Sequence, residues 1–245
     1  MNKKKKTLLI ASAVVFLLVA TCIIYINDYY HANEDAIAVL QQGASDTSEV
    51  IVSEKDGLMV FLPRDGTDIG MIFYPGGKVE YSAYAPLLYQ CARQGITCVL
   101  IEMPGNLAVL DMNAAEGIPE RYTHVNRWYL ADHSLGGAMA SSYLAEHTEA
   151  YEGLILLASY ATKPLHSEKV LSVYGSEDGV LNMENYVANK ANLPEDYTEV
   201  VIEGGCHAYF GAYGTQDGDG EPSISAEQQW EITAQAVAEF VGITR

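Results

Sequence analysis

Hydrophobic and polar positions divide this chain into three stretches of different character. From Thr7 to Ile26, TLLIASAVVFLLVATCIIYI carries no charge, and about 20 apolar residues wound as a helix cross the hydrocarbon core of a bilayer. From Asn27 to about Ser48 the chain is polar and alanine-rich, which predicts a helical stalk. Beyond it, short apolar runs alternate with segments of helical period. EVIVSEKDGLMVFLP predicts two strands around a turn at Lys55-Asp56-Gly57. DIGMIFYPGG is a buried strand ending in Pro75-Gly76-Gly77, SAYAPLLYQCARQG a helix stopped by Gly95, and ITCVLIEMP the next strand. GNLAVLDMNAAEGIPERY predicts a short helix with loops. RWYLAD runs as a strand straight into Ser134, with LGGAMASSYLAEH as the helix after it. EGLILLAS and KVLSVYG are further buried strands, NMENYVANKANLP a helix, TEVVIEGG the last strand and SAEQQWEITAQAVAEFVG the closing helix.

Strands alternating with helices imply right-handed crossovers and an α/β fold: a mainly parallel sheet covered on both faces, with the leading hairpin as an antiparallel N-terminal edge. Between Ser159 and Lys169 there is little room for a cap domain. The expected organisation is a membrane anchor over residues 1–27, a stalk over 28–48 and one α/β domain over 49–245.

Composition changes this picture in two places. The formal net charge is −18, with only 14 Lys and Arg, four of them in the run Lys3 to Lys6; a nucleic-acid backbone is therefore an unsuitable partner. The same lysine run ahead of the apolar stretch predicts an uncleaved signal anchor, with the lysines cytoplasmic and the α/β domain extracytoplasmic. The competing reading is a cleaved signal peptide and a secreted domain, but the stretch exceeds the usual apolar core of such peptides and no A-x-A site follows. VATC, Val19 to Cys22, resembles a lipoprotein signal poorly, since threonine precedes the cysteine. Cys91, Cys98 and Cys206 form no even framework and are expected as buried thiols; Cys206 adjoins a histidine of interest. The loop GAYGTQDGDGEPS, with Asp217, Asp219 and Glu221, lacks most of a calcium-loop pattern and predicts a solvated acidic loop.

The candidate chemistry lies at strand ends, where ligands of such sheets gather. LADHSLGGAMA places Ser134 on a strand-to-helix turn, the arrangement of a G-x-S-x-G nucleophile, except that Asp132 stands where the first glycine belongs. Asp178 in YGSEDGV follows a later strand, with Glu177 as the rival acid. His207 in IEGGCHAYFG is the histidine that follows the last strand, after two glycines that let its loop bend. A serine hydroxyl needs a base to take its proton, a neutral imidazole does this, and a carboxylate fixes the tautomer of that imidazole. The oxyanion of the intermediate needs backbone donors: Leu135 N–H is one, and Gly77 or Lys78 in the turn after MIFYPGG is the second. Tyr81, Tyr84, Tyr160, Tyr209 and Tyr213 fall in loops that would line an aromatic mouth.

From about Asp68 onward the chain resembles the α/β-hydrolase superfamily, and more narrowly the small lidless bacterial type called alpha/beta hydrolase fold-5. FYPGGKVEYSAYAPL, EMPGNLAVLD, HSLGGAMA, YGSEDGVLN and IEGGCHAYFGAYGTQDGDGE carry the resemblance. It implies Ser134 as nucleophile, Asp178 as acid, His207 as base and the Gly76-Gly77 turn as part of the oxyanion hole, with no metal or organic cofactor. The resulting expectation is a serine hydrolase, foremost a carboxylesterase for small acyl esters. The alternatives are a non-catalytic binding module that kept the fold, suggested by Asp132, and a cell-surface peptidase or amidase.

Overall fold

The strands read from the sequence assemble into a single eight-stranded sheet in the computed structural model, which describes residues 3–45 and 47–243. They are β1 (Val50–Lys55), β2 (Leu58–Pro63), β3 (Ile69–Tyr74), β4 (Thr97–Ile101), β5 (Arg127–His133), β6 (Gly153–Leu157), β7 (Lys169–Gly175) and β8 (Thr198–Ile202). The helices are α1 (Lys3–Asn27), α2 (Glu34–Gly43), α3 (Ala85–Arg93), α4 (Gly136–Glu146), α5 (Met183–Asn189) and α6 (Ala226–Phe240). The spatial order is β1-β2-β4-β3-β5-β6-β7-β8. The β1–β2 hairpin is antiparallel, β2 meets β4 antiparallel, and every later pairing is parallel. The expected short helix after β4 is instead three separate 3₁₀ turns.

Central strands are apolar at every position because both sheet faces are covered. Along β3, Met71 and Phe73 join one core with Leu87, Leu88, Trp230 and Val237 of α3 and α6. The intervening Ile72 and Tyr74 join the other, with Tyr143 and Leu144 of α4. This alternation is the two-residue period of a strand serving two layers. Ser225 and Gln228 start α6 with a reciprocal capping box. The β6–β7 connection, residues 158–168, contains no cap domain.

The stretch expected as a stalk does not stand off from this domain. Helix α2 packs on α3 and β1, Ala36 is fully buried, and a Cβ at Gly43 would overlap Val52. The apolar face of a short helix gains more from burial than from solvent, and β1 and α3 provide the surface. Helix α1 is different: residues Lys5–Asn27 have a mean hydropathy of 2.8 in their most apolar window, and none of that window is buried against the protein. It is long and apolar enough to cross a membrane.

The strand order sets the site. The order of strand addition reverses at β3, with β4 on one side and β5 on the other, and the crevice at the carboxyl ends lies at that switch point. Tyr74 pairs in register with Asp132. The turn Pro75-Gly76-Gly77 therefore comes level with His133 and Ser134.

Candidate active site

Ser134 is the first residue of the two-residue gap through which β5 turns toward α4. Its φ is +54°, in the left-handed region, which costs a non-glycine residue about 1–3 kcal/mol. Among the described residues, five non-glycine residues have positive φ, and four of them follow consecutive strands around the switch point: Lys78, Asn106, Ser134 and Ala158. Backbone strain is thus concentrated at one end of the sheet. Ser134 N–H donates to Leu157 O at 3.0 Å, tying the turn to β6. Gly136 is small for a reason: a Cβ there would lie 2.6 Å from Tyr74 O, so only glycine lets α4 start this close to β3.

The loops after β7 and β8 bring Asp178 and His207 together. His207 Nδ1 lies 2.9 Å from Asp178 Oδ2 and 3.2 Å from Oδ1, and both side chains are 1% exposed. The amides of Val180 and Leu181 donate to Asp178 Oδ1 at 2.9 and 2.7 Å, which fixes the carboxylate. The rival acid, Glu177, instead accepts from Ser176 Oγ. His207 Nε2 is buried without a hydrogen-bond partner. His207 and Ser134 line the same cavity of about 190 Å³, together with Leu135, Ala158, Tyr160 and Leu181. Larger hollows of about 890 and 790 Å³ lie on the far side, around α3 with α6 and α2. Size alone would select them, but they hold no nucleophile with an adjacent base.

The turn after β3 discriminates among its own amides. Gly76 N–H donates to Tyr84 Oη at 3.0 Å and Lys78 N–H donates to Asn106 O at 2.8 Å. Gly77 lies between them, against Leu135: a Cβ on Gly77 would meet Leu135 Cδ2 at 2.7 Å. The alternative of Lys78 as an oxyanion donor is therefore removed, because its N–H is already used.

Three features were not legible beforehand. Asp219, expected in a solvated acidic loop, accepts from the amides of Gly179, His207, Ala208 and Gly220 at 2.8–3.1 Å. It clips the acid loop to the histidine loop. The close glycines of QDGDGEP carried a signal, since a Cβ at Gly220 would overlap Glu177 O. The second feature is a buried chain from the β3 turn to the elbow. Tyr84 Oη, which accepts from Gly76 N–H, lies 2.8 Å from His133 Nδ1. Burial, aided by the His207 ring at 4.5 Å, holds His133 well below its usual pKa and hence neutral. Third, the expected aromatic mouth is reduced to Tyr160. Tyr84 and Tyr213 are buried, and Tyr81 donates to Glu54. Cys206 is buried too, and desolvation pushes its thiol up to about 12, which leaves it unreactive.

Asp132 points inward, beneath the elbow. It is fully buried, Ser159 Oγ donates to its Oδ1, and its Oδ2 has no partner. Room comes from the helix side: a Cβ on Gly137 would sit 2.7 Å from Asp132 Oδ1. Space lost at the first glycine position is recovered at Gly137, so the turn survives. Burial raises the Asp132 pKa well above the carboxylate range, outweighing the Ser159 bond. In the unfolded chain the group ionises near pH ~4, so above that pH only the unfolded state gains by losing the proton. Stability falls by up to about 1.4 kcal/mol per pH unit from there until the native carboxyl ionises. Asp132→Asn keeps the shape and removes the titration. Its melting temperature should exceed that of the parent near neutral pH, with the gap closing as pH falls toward ~4. A gap that does not vary with pH would contradict a protonated Asp132.

The sheet order, the left-handed serine between β5 and α4, and the loops that converge on it define an α/β-hydrolase architecture. The chain belongs to the alpha/beta hydrolase family, whose sequence pattern matches residues 70–231. Among solved structures it is similar to a thermostable esterase from Pseudomonas putida, with 16% identity and a TM-score of 0.57 over 86% of this chain and 89% of that one. It is similar to a hormone-sensitive lipase from a metagenome library (15% identity, TM-score 0.56, 84% and 92% covered). It is also similar to a dienelactone hydrolase from Anabaena variabilis (13% identity, TM-score 0.55, 80% and 100% covered). At these identities the likeness is one of fold. No curated protein matches the chain.

Proposed function

We propose that the protein is a membrane-anchored serine hydrolase of the carboxylesterase type, with Ser134 as nucleophile, His207 as base and Asp178 as its orienting acid. One observation carries this: a strained serine and a histidine buried against Asp178, each from a different loop, line one small cavity. Ser134 Oγ attacks the ester carbonyl carbon while its proton passes to His207 Nε2. The carbonyl oxygen becomes an oxyanion, held by the amides of Leu135 and Gly77. The bond to the alcohol breaks, His207 returns the proton to the leaving oxygen, and the acyl group stays on Ser134. Water repeats the sequence and releases the acid. The cavity suits a short acyl group.

The inward turn of Asp132 supports an active site over a non-catalytic relative, because its carboxyl leaves the cavity clear. The length and hydropathy of α1, which begins with the lysine run, support an anchor with the domain outside the cytoplasm. The reading is tested with a fluorophosphonate probe on the full chain. A single adduct mapped to Ser134 is expected; an unlabelled, folded protein would sink it.

A further inference from the structure

Where the apolar helix ends relative to the site is set by the strap that follows it. Helix α1 ends at Asn27. Three residues later, Tyr30 N–H donates to Lys78 O and Glu80 N–H donates to Tyr30 O, both at 2.8 Å, forming a parallel bridge to Val79. The strap is held again where Asn33 N–H donates to Ala212 O at 2.8 Å, a few residues beyond His207. Lys78 Nζ pairs with Asp28 at 2.7 Å and lies 4.7 Å from the centre of the Tyr25 ring. Three residues of chain extend at most about 10 Å. Whatever tilt α1 adopts, its end stays within that reach of the turn bearing Gly77.

Beside the Lys78–Asp28 pair, a run of apolar residues lies between the helix end and Ser134. A Cβ on Gly105 would lie 3.0 Å from Ile26 Cγ2 and 3.7 Å from Leu110 Cδ1, so these three positions are contiguous. Leu107 and Leu135 both flank Gly77. Val109 and Leu110 are 56% exposed and Leu135, next to the nucleophile, is 46% exposed. Exposed leucine and valine between a membrane-length helix and a cavity mouth find their apolar surroundings in the bilayer. Charge does not supply this contact, because a domain with such an acidic excess is not drawn to an anionic surface. The tether and the rim do.

Building on the hydrolase and anchor readings above, we propose that the site opens onto the bilayer surface and that its substrates are acyl esters of amphiphiles held in the membrane. The rim of Val109, Leu110 and Leu135 rests in the interface. The reaction is the one already described: the ester C–O bond breaks, the acyl group passes through Ser134 to water, and the deacylated amphiphile leaves carrying the proton.

The test uses the full chain in phosphatidylcholine vesicles and two esters with one short acyl group, methylumbelliferyl acetate in solution and oleyl acetate in the bilayer, both followed by released acetate. A flexible Gly/Ser segment of about 20 residues inserted between Asn27 and Asp28 lets the mouth move some 25 Å from the helix end. We expect oleyl acetate hydrolysis to fall at least tenfold with the insert, while methylumbelliferyl acetate hydrolysis is unchanged. In parallel, Val109→Trp is expected to be quenched by brominated lipid, against a parent whose Trp128 and Trp230 are buried. Equal oleyl acetate rates with and without the insert, or no quenching beyond the parent, would overturn the proposal while leaving the hydrolase intact. Failure to hydrolyse either ester, with no fluorophosphonate adduct, would overturn both together.

Discussion

Replacing Ser134 by alanine should lower ester hydrolysis by a factor on the order of 10⁴ to 10⁶ without unfolding the domain. The oxygen removed is the one that would carry the acyl group, and no other group can take its place. Ser159 is the nearest rival hydroxyl in the same cavity, but it is buried and its proton goes to Asp132. Cys206 is a buried thiol held in its neutral form by desolvation. The fold should survive, because Ser134 contributes its backbone N–H to Leu157 O and alanine keeps that bond. Initial rates on p-nitrophenyl acetate, with circular dichroism as the folding control, measure the effect. A residual rate within tenfold of the parent would place the nucleophile elsewhere.

Asp178→Asn should be almost as damaging, on the order of 10³- to 10⁴-fold in kcat with little change in KM. The reason is geometric. Oδ1 of Asp178 receives two backbone N–H groups, from Val180 and Leu181, while Oδ2 faces His207 Nδ1. An asparagine must keep its carbonyl oxygen toward those two donors, so its NH₂ group faces Nδ1. Nδ1 then becomes an acceptor, the imidazole proton moves to Nε2, and His207 loses the lone pair that takes the proton of Ser134. The shape of the site stays the same, so substrate binding persists. A drop confined to KM, or a drop below tenfold in kcat, would remove Asp178 from the acid role and return attention to Glu177.

Much of this site could be read before any coordinates. Ser134, Asp178 and His207 each follow an apolar run, and runs of that kind end at the carboxyl edge of a parallel sheet. The hairpin at Asp56-Gly57 was equally legible, because two consecutive residues with positive φ leave a local signature. The stalk was misjudged on the same kind of signal: a polar, alanine-rich helix looks solvent-exposed until the surface that receives Ala36 is known. The tyrosines misled for a related reason. A loop position does not say whether a side chain turns to the mouth or, as with Tyr84, into the core.

By itself the sequence determined the elements, their order and the three loops that carry the candidate chemistry, because periodicity and turn chemistry act over a few residues. Tertiary structure decided what lies beside what. It placed the Asp132 carboxyl under α4 against Ser159, 27 residues away, and so preserved a turn that lacks its first glycine. It made Asp219 a clip between two loops and pinned Tyr30 beside the Gly76-Gly77 turn, 48 residues later at Lys78. Such contacts depend on crossovers that bring distant segments to one sheet edge, and no local pattern records which partners meet there.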